Sequence, residues 1–188
     1  MTYKLRFDRS KYLAFEISPD ELEEKLGADH LFMLDEPEWS KFWKPINARF
    51  IDFSDKKNVT TPPDITLWFT DQLVLNEKAY KLLSSQLESY GEFLPVKCEG
   101  IPYWVLHVTK MAENNAIDEI SSNRNIEEGG YIEVINLTLN EEQVKNMLLF
   151  KTEYNGFKNI YCSEGFKAIV EENSLNGLIF NTDLASVF

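Results

Sequence analysis

The first segment of the chain alternates apolar and polar residues, over residues 3–7 and again over residues 12–17. Alternation with a period of two is typical of half-buried strands. Residues 8–11 are polar and form a short connection between the two segments. We therefore predict a hairpin-like pair of strands at the start of the chain.

Helix starts are indicated by capping residues. Ser18 precedes Pro19 and Glu21, which complete a capping box, and Gly27 is placed to end the helix. The same pattern of a cap followed by Glu recurs at Asn76, Asn140 and Ser163. The apolar spacing after Asn76 predicts an amphipathic helix, whereas the helix after Asn140 should be short.

Further strands are predicted where β-branched and aromatic residues concentrate, at residues 48–53, 65–69, 93–97, 103–109, 131–136 and 178–181. Loops are predicted at residues 35–45, 55–63 and 113–130. Strands and helices mix without a regular alternation. We therefore predict a single α+β domain over residues 1–188, with a mixed or largely antiparallel sheet and several short helices.

One plan occurs twice, over residues 73–96 and 160–180. Each copy has an apolar strand, a polar cap with Glu, a short amphipathic helix, and a Gly turn at Gly91 or Gly177 into a second strand. The two copies share no polar centre. This repeated strand-helix-strand unit therefore indicates a scaffold rather than a reaction site.

Composition narrows the class of protein. The 188 residues are 44% hydrophobic and contain only two cysteines. We therefore expect no disulfide framework, and we expect the protein to lie in the cytoplasm. No apolar run approaches the ~20 residues of a membrane-spanning helix. A net charge of -12 opposes binding to nucleic acid and favours a basic protein partner.

More than half of this charge lies between Met111 and Gln143, which hold eight acidic residues and one basic residue. Two interpretations stay open: a solvated connection, or an electronegative face that steers a basic partner. The candidate partner-binding residues of this region are Asp118, Glu119, Glu127 and Glu128.

Two tryptophans, Trp39 and Trp43, complete the candidate partner-binding set. They lie in an aromatic segment flanked by acidic residues, which suits an interface anchor. Their spacing of four would equally pack one helical turn on the core.

No catalytic or metal-binding pattern emerges from the remaining polar residues. The two histidines, His30 and His107, follow unlike patterns, and no Cys-x-x-Cys, nucleophile elbow or phosphate-binding glycine loop occurs. If Glu99-Gly100 is a turn, Cys98 lies about 20 Å from His107, too far for a nucleophile and its base. We predict no catalytic residue, no metal and no cofactor.

Several segments resemble a family of bacterial immunity proteins from polymorphic toxin systems. The resemblance lies in the strand 103–108 leading to residues 116–121, in residues 149–151, and in residues 160–164 running to 175–180, with a further likeness at 73–83. It covers mainly residues 65–184 and leaves the first 60 or so outside. It implies a non-enzymatic inhibitor that binds a cognate toxin, and it brings no catalytic residues.

Two other functions are compatible with the sequence. One is an enzyme of an unrecognised type that uses carboxylates and His107; a cleft holding His107 beside two acids would favour it. The other is a regulatory subunit whose protein partner is not a toxin.

Overall fold

The computed structural model of the chain describes residues 1–27, 38–55 and 58–186. The strands in chain order are β1 Thr2–Phe7, β2 Ala14–Glu16, β3 Ile46–Ile51, β4 Ile65–Trp68, β5 Gln72–Leu75, β6 Gly91–Cys98, β7 Ile101–Val108, β8 Asn123–Ile126, β9 Ile132–Asn136, β10 Leu149–Phe150, β11 Tyr161–Ser163 and β12 Leu178–Asn181. The α-helices are α1 Pro19–Leu26, α2 Glu77–Leu87, α3 Glu141–Val144 and α4 Glu164–Glu172. Short 3₁₀ helices cover Trp39–Lys41, Asn114–Ala116 and Glu153–Asn155.

The strands form three sheets. A six-stranded sheet has the order β2-β3-β6-β7-β5-β4, and a four-stranded sheet has the order β10-β11-β1-β12. Strands β8 and β9 form a sheet of their own. Only the β3-β6 pair is parallel among the described pairs. The predicted α+β class with a largely antiparallel, mixed sheet is confirmed.

The repeated plan folds as two units of the same topology. In the first, β5 and β6 flank α2 in sequence and both pair antiparallel to β7, which lies between them. In the second, β11 and β12 flank α4 and both pair antiparallel to β1. Each unit is therefore a split βαβ motif with one antiparallel strand inserted.

Two hydrophobic clusters cover the two faces of the six-stranded sheet. On one face, Leu83 of α2 and Phe166 of α4 pack against strands of both larger sheets. On the other face, Trp39 and the apolar side of α1 cover the sheet. Strand β7 serves both clusters, because Val105 and Leu106 point to opposite faces as expected for a central strand.

Helix α1 begins and ends as the capping residues predict. The Ser18 hydroxyl accepts a hydrogen bond from the Glu21 backbone N–H at 3.2 Å, and Gly27 ends the helix with φ 90°. Asn76 caps α2 in the same way at 2.9 Å. Ser163 precedes α4 but makes no side-chain capping bond.

The predicted hairpin at the start of the chain is wrong, although both segments are strands. β1 pairs with β11 and β12, whereas β2 pairs with β3 in the other large sheet. Alternation predicts a strand but does not identify its partner. β1 is in fact central and buried from Thr2 to Leu5, so the first residues are an integral part of the fold.

The predicted loop at residues 113–130 is also partly wrong, since it contains β8. That strand has the sequence Asn-Arg-Asn-Ile, which lacks the β-branched and aromatic content of the other strands. Its strand conformation comes from its antiparallel pairing with β9.

Candidate partner-binding surface

The acidic hairpin, residues 118–136, comprises β8, β9, their connecting turn and the segment that leads into β8. None of its residues is buried. Glu119, Glu127 and Glu128 are exposed, and none has an ion-pair partner among the residues that the structure describes. The hairpin therefore presents uncompensated negative charge to the solvent.

The turn of the hairpin displays Glu127 and Glu128 at its tip. The Glu127 backbone N–H donates to the Tyr131 carbonyl at 2.9 Å, and the Gly130 N–H donates to the Glu127 carbonyl at 3.0 Å. Gly129 and Gly130 have φ of 100° and 84°, a conformation that favours glycine. This Gly-Gly turn places Glu127 and Glu128 at the exposed end of the hairpin.

The base of the hairpin is held by Arg124, the one basic residue of the acidic region. Its guanidinium donates to the Tyr154 carbonyl at 2.6 Å and lies 4.3 Å from the centre of the Tyr154 ring. The charge of Arg124 therefore serves to attach the hairpin to the 3₁₀ helix Glu153–Asn155 and forms no ion pair with the neighbouring acids.

Large apolar side chains accompany the acids on the hairpin. Their exposed fractions are high: Ile120 99%, Ile126 61%, Tyr131 57% and Ile135 53%. A β-bulge between Asn123 and Arg124 locally shifts the pairing opposite Ile135. None of these four residues was predicted to lie on the binding surface, because an isolated apolar residue in a polar segment carries no signal that separates exposed from buried positions.

Asp118 differs from the other three acids in its role. Its Oδ1 atom accepts hydrogen bonds from the backbone N–H groups of Ile120 (3.1 Å) and Ser121 (3.3 Å). Hydrogen bonding by the Ser121 side chain and backbone lowers the pKa of the Asp118 carboxyl. Asp118 therefore shapes the turn that leads into β8 and exposes Ile120.

A comparison with protein families identifies the family of this chain. The profile of an immunity protein family, Imm11, matches residues 48–183, which include the whole acidic hairpin. The chain belongs to this immunity protein family. A search of curated proteins finds no match to the chain.

The family match of this immunity protein extends from within β3 to beyond β12 and omits β1, β2 and α1. The omitted β1 nevertheless lies between β11 and β12, which are inside the match. The expected resemblance to immunity proteins is confirmed, with a start earlier than residue 65.

The two candidate tryptophans of the immunity protein lie away from the acidic hairpin, in the cluster on the α1 side of the six-stranded sheet. Trp39 is 5% exposed, and its ring stacks on Trp43 with centroids 6.0 Å apart. Trp43 is half-buried, and its indole N–H donates to the Pro95 carbonyl at 2.9 Å. In this conformation, packing on the core occupies both rings, and only Trp43 offers partial surface to a partner.

His107 is buried in the middle of β7 and belongs to a chain of hydrogen bonds. Its Nδ1 lies 3.1 Å from Gln72 Oε1, while the Gln72 amide donates to Asp71 at 2.9 Å. Lys151 Nζ lies 3.1 Å from the same Asp71 carboxylate. This orientation of the Gln72 amide, assigned from the hydrogen-bond network, makes Nδ1 of His107 the protonated ring nitrogen.

The surroundings of His107 favour a structural role in this immunity protein. Trp39 stacks on its ring with centroids 4.1 Å apart and an interplanar angle of 11°. The cross-strand neighbour Glu92 accepts hydrogen bonds from Ser40, and Asp71 is already paired with Lys151. His107 is 3% exposed and Trp39 covers one face of its ring, so the described residues do not leave the imidazole open to a substrate as the enzyme hypothesis requires.

The thiols are buried as well. Cys98 pairs with Ile101 across the Glu99-Gly100 turn, as predicted, and burial raises its pKa to about 12. Burial also raises the pKa of Cys162 well above the usual thiol range. Neither thiol is therefore activated as a nucleophile at neutral pH.

The residues that the structure describes hold no cluster of metal ligands. Within residues 1–27, 38–55 and 58–186, no three or more His, Cys, Asp or Glu side chains come together as a metal site would require. His30 and residues 35–37 of the predicted loop lie outside the described residues. No helix in the described part of the chain has both the length and the apolar character needed to cross a membrane.

Proposed function

We propose that this protein is a non-enzymatic cytoplasmic inhibitor that binds a cognate bacterial toxin and neutralises it through the acidic hairpin. Membership of the immunity protein family supports the toxin-neutralising role. The observation that carries the choice of surface is the exposure of the acids Glu119, Glu127 and Glu128 together with the large apolar side chains of the hairpin.

Charge supports a basic partner. Glu119, Glu127 and Glu128 have no cation to satisfy them among the described residues, so a basic surface of the toxin would supply the missing partners. Exposed charges of one sign accelerate encounter with an opposite charge and add less to the final affinity. The acids should therefore act mainly on the association rate.

Apolar contact supports a long-lived complex. Ile120 and Tyr131 expose most of their surface beside the acids, and aromatic and aliphatic anchors provide most of the binding energy in protein interfaces. The Tyr131 ring is held by the Lys158 ammonium, which lies 4.3 Å from the ring centre. A positioned ring loses less conformational freedom on binding than a mobile one.

Charge reversal tests the steering role. In the triple variant Glu119→Lys, Glu127→Lys and Glu128→Lys, the association rate with the toxin encoded by the adjacent gene should fall at least about tenfold at low salt. The difference from the unaltered protein should shrink at high salt, because ions screen the exposed charges. Surface plasmon resonance at two salt concentrations measures both effects.

A matched control separates the position of the charges from the net charge. The triple variant Glu23→Lys, Glu88→Lys and Glu172→Lys makes the same change in charge at exposed acids outside the hairpin that also have no ion pair among the described residues. This control should alter the association rate much less. Equal effects of the two triple variants would remove the hairpin from the proposal.

Truncation of apolar side chains tests the contact role. Ile120→Ala and Tyr131→Ala should each raise the dissociation rate of the complex by about tenfold or more, the range expected for anchor residues. Ile120 is 99% exposed, so its truncation cannot disturb the core. Ile101→Ala is the control, because Ile101 is an exposed apolar residue that lies outside the hairpin, in the six-stranded sheet. Dissociation rates no higher than that of Ile101→Ala would contradict the contact role.

A further inference from the structure

A cleft of about 360 Å³ lies where β1 approaches the turn between β4 and β5. Its lining includes three basic residues, Lys4, Arg6 and Arg9. Three cations around one cleft are unexpected in a chain with a net charge of -12. The cleft is separate from the acidic hairpin, none of whose residues line it.

The two arginines of this cleft have no carboxylate partner among the described residues. Arg6 and Arg9 have no ion pair among the described residues, and Lys4 donates to the Ser186 carbonyl rather than to a carboxylate. Asp8 also lines the cleft, but its carboxylate accepts from Ser10 and pairs with Lys11 at 3.2 Å. The guanidinium groups of Arg6 and Arg9 are therefore left without a described carboxylate, whereas the Lys4 ammonium is directed to Ser186, which does not line the cleft.

The positive charges of Lys4 and Arg6 repel each other when no anion is bound in the cleft. Burial, and then repulsion from Arg6, lower the pKa of Lys4, and the smaller attraction of Asp183 raises it. Lys4 and Arg6 alternate with Leu5 along β1 and so lie on the same face of the strand. An anion between them would relieve this repulsion and satisfy the guanidinium of Arg6.

An exposed aromatic ring lies at the same cleft. Phe69 is 61% exposed and has φ 54°, a left-handed conformation that favours glycine over a bulky residue. One side of its ring packs on Trp68, with centroids 5.1 Å apart. The chain thus carries an aromatic residue in a strained turn, where it adds a flat apolar surface to the wall of the cleft.

We propose that this cleft binds a small ligand that carries a phosphomonoester and a flat ring, the chemistry of a nucleoside monophosphate. A phosphomonoester carries up to two negative charges near neutral pH, which the two guanidinium groups of Arg6 and Arg9 match in number. The ring would stack on Phe69. The volume lies within the usual range for small-molecule sites. The general repulsion of anions by the rest of the protein makes non-specific binding a poor alternative.

Calorimetric titration with AMP, adenosine and inorganic phosphate tests both parts of the site. AMP should bind with one site per chain, phosphate should bind more weakly, and adenosine should not bind measurably. AMP should also bind more weakly at pH 5 than at pH 7.5, because its phosphate group loses a negative charge as the pH falls through about 6. No binding of AMP at millimolar concentration, or equal binding of adenosine, would overturn the proposal.

Variants separate the anionic and aromatic contributions. Arg6→Gln should weaken both AMP and phosphate by about ten- to a hundredfold, since it removes a charged hydrogen-bond donor. Phe69→Gly should weaken AMP alone, and glycine is suited to the positive φ, so the fold should be retained. Arg9→Gln, at an exposed position, provides a second test of the charge.

Lys97→Gln is the matched control. Lys97 is exposed, does not line the cleft, and has no ion pair among the described residues, so the variant changes the net charge equally without altering the site. It should leave AMP binding unchanged. A loss of affinity in Lys97→Gln equal to that in Arg6→Gln would overturn the proposal, as would equal binding of AMP and phosphate to the unaltered protein.

Discussion

Replacing Asp71 with Asn is expected to lower the free energy of unfolding by about 3–5 kcal/mol, because it leaves the buried Lys151 ammonium without its counter-ion. The side chains of Lys151 and Asp71 are only 2% and 11% exposed, and they lie 3.1 Å apart. Burial raises the pKa of Asp71 despite the attraction of Lys151, so ionisation of this carboxyl group carries a desolvation cost. Urea denaturation measures the loss.

The double variant Asp71→Asn and Lys151→Met provides the control. Removing both charges together should restore most of the lost stability, since apolar replacement of a buried ion pair is often close to neutral. The difference between the variants gives the coupling energy of the pair. A loss below about 1 kcal/mol in Asp71→Asn, the range of exposed ion pairs, would show that solvent screens this pair.

The position of the pair gives this prediction a functional consequence. The Lys151 backbone N–H donates to the Lys110 carbonyl at 2.9 Å, and the Ala112 N–H donates to the Lys151 carbonyl at 2.9 Å. Asp71 directly precedes β5, so the ion pair joins the six-stranded sheet to the segment that leads towards the acidic hairpin. Asp71→Asn should therefore also weaken toxin binding if the hairpin acts as proposed.

Local features of the fold were predictable because local chemistry determines them. The capping hydroxyl of Ser18, the amide of Asn76 and the Gly27 end of α1 act within one turn of helix, and the sequence shows them directly. The Glu99-Gly100 turn fixes the β6-β7 register in the same way, with Cys98 opposite Ile101.

Long-range pairing was not predictable from these signals. β1 lies between β11 and β12, which follow it by more than 150 residues, and nothing in its alternating pattern indicates such distant partners. Its polar residue Lys4 is 6% exposed, although alternation would place it in solvent. Burial of both faces of β1 depends on segments that the pattern of β1 cannot encode.

The candidate site was predictable only in part. A charge count identified Glu119, Glu127 and Glu128, since charged residues are seldom buried without a partner. Pairing of the polar β8 with β9, and with it the display of Ile120 and Tyr131, depends on tertiary contacts. Partner binding by Glu119, Glu127 and Glu128 is a prediction that the charge-reversal experiment tests. Partner binding by Asp118, Trp39 and Trp43 stays a prediction.

The glycines of the two repeated units should be the least replaceable residues of the scaffold. A Cβ atom at Gly91 would lie 2.0 Å from the His107 carbonyl oxygen, and one at Gly177 would lie 2.3 Å from the Ile65 carbonyl oxygen. Both neighbours are backbone atoms of a sheet, which cannot move aside as a side chain can. Gly91→Ala and Gly177→Ala are each expected to cost about 3 kcal/mol or more.

Gly177 should be the more sensitive of the two, because it also has φ 116° and lies at the junction of the two large sheets. Its carbonyl accepts from the Asp8 N–H at 2.8 Å, while the adjacent Asn176 carbonyl accepts from the Ile65 N–H at 3.0 Å. Displacing this turn would separate β12 from β4 and break contacts on both sides.

Gly27→Ala separates steric conflict from backbone strain. Gly27 has φ 90° and ψ 152°, but a Cβ atom added there would have no neighbour within 4 Å among the described residues, so its variant should lose about 1–3 kcal/mol for the unfavourable backbone conformation. Thermal and urea denaturation of the three variants compares them directly. Losses at Gly91 and Gly177 as small as that at Gly27 would mean that the strands can part to admit a methyl group. The close approach of two backbones would then not be what Gly91 and Gly177 provide in the repeated units.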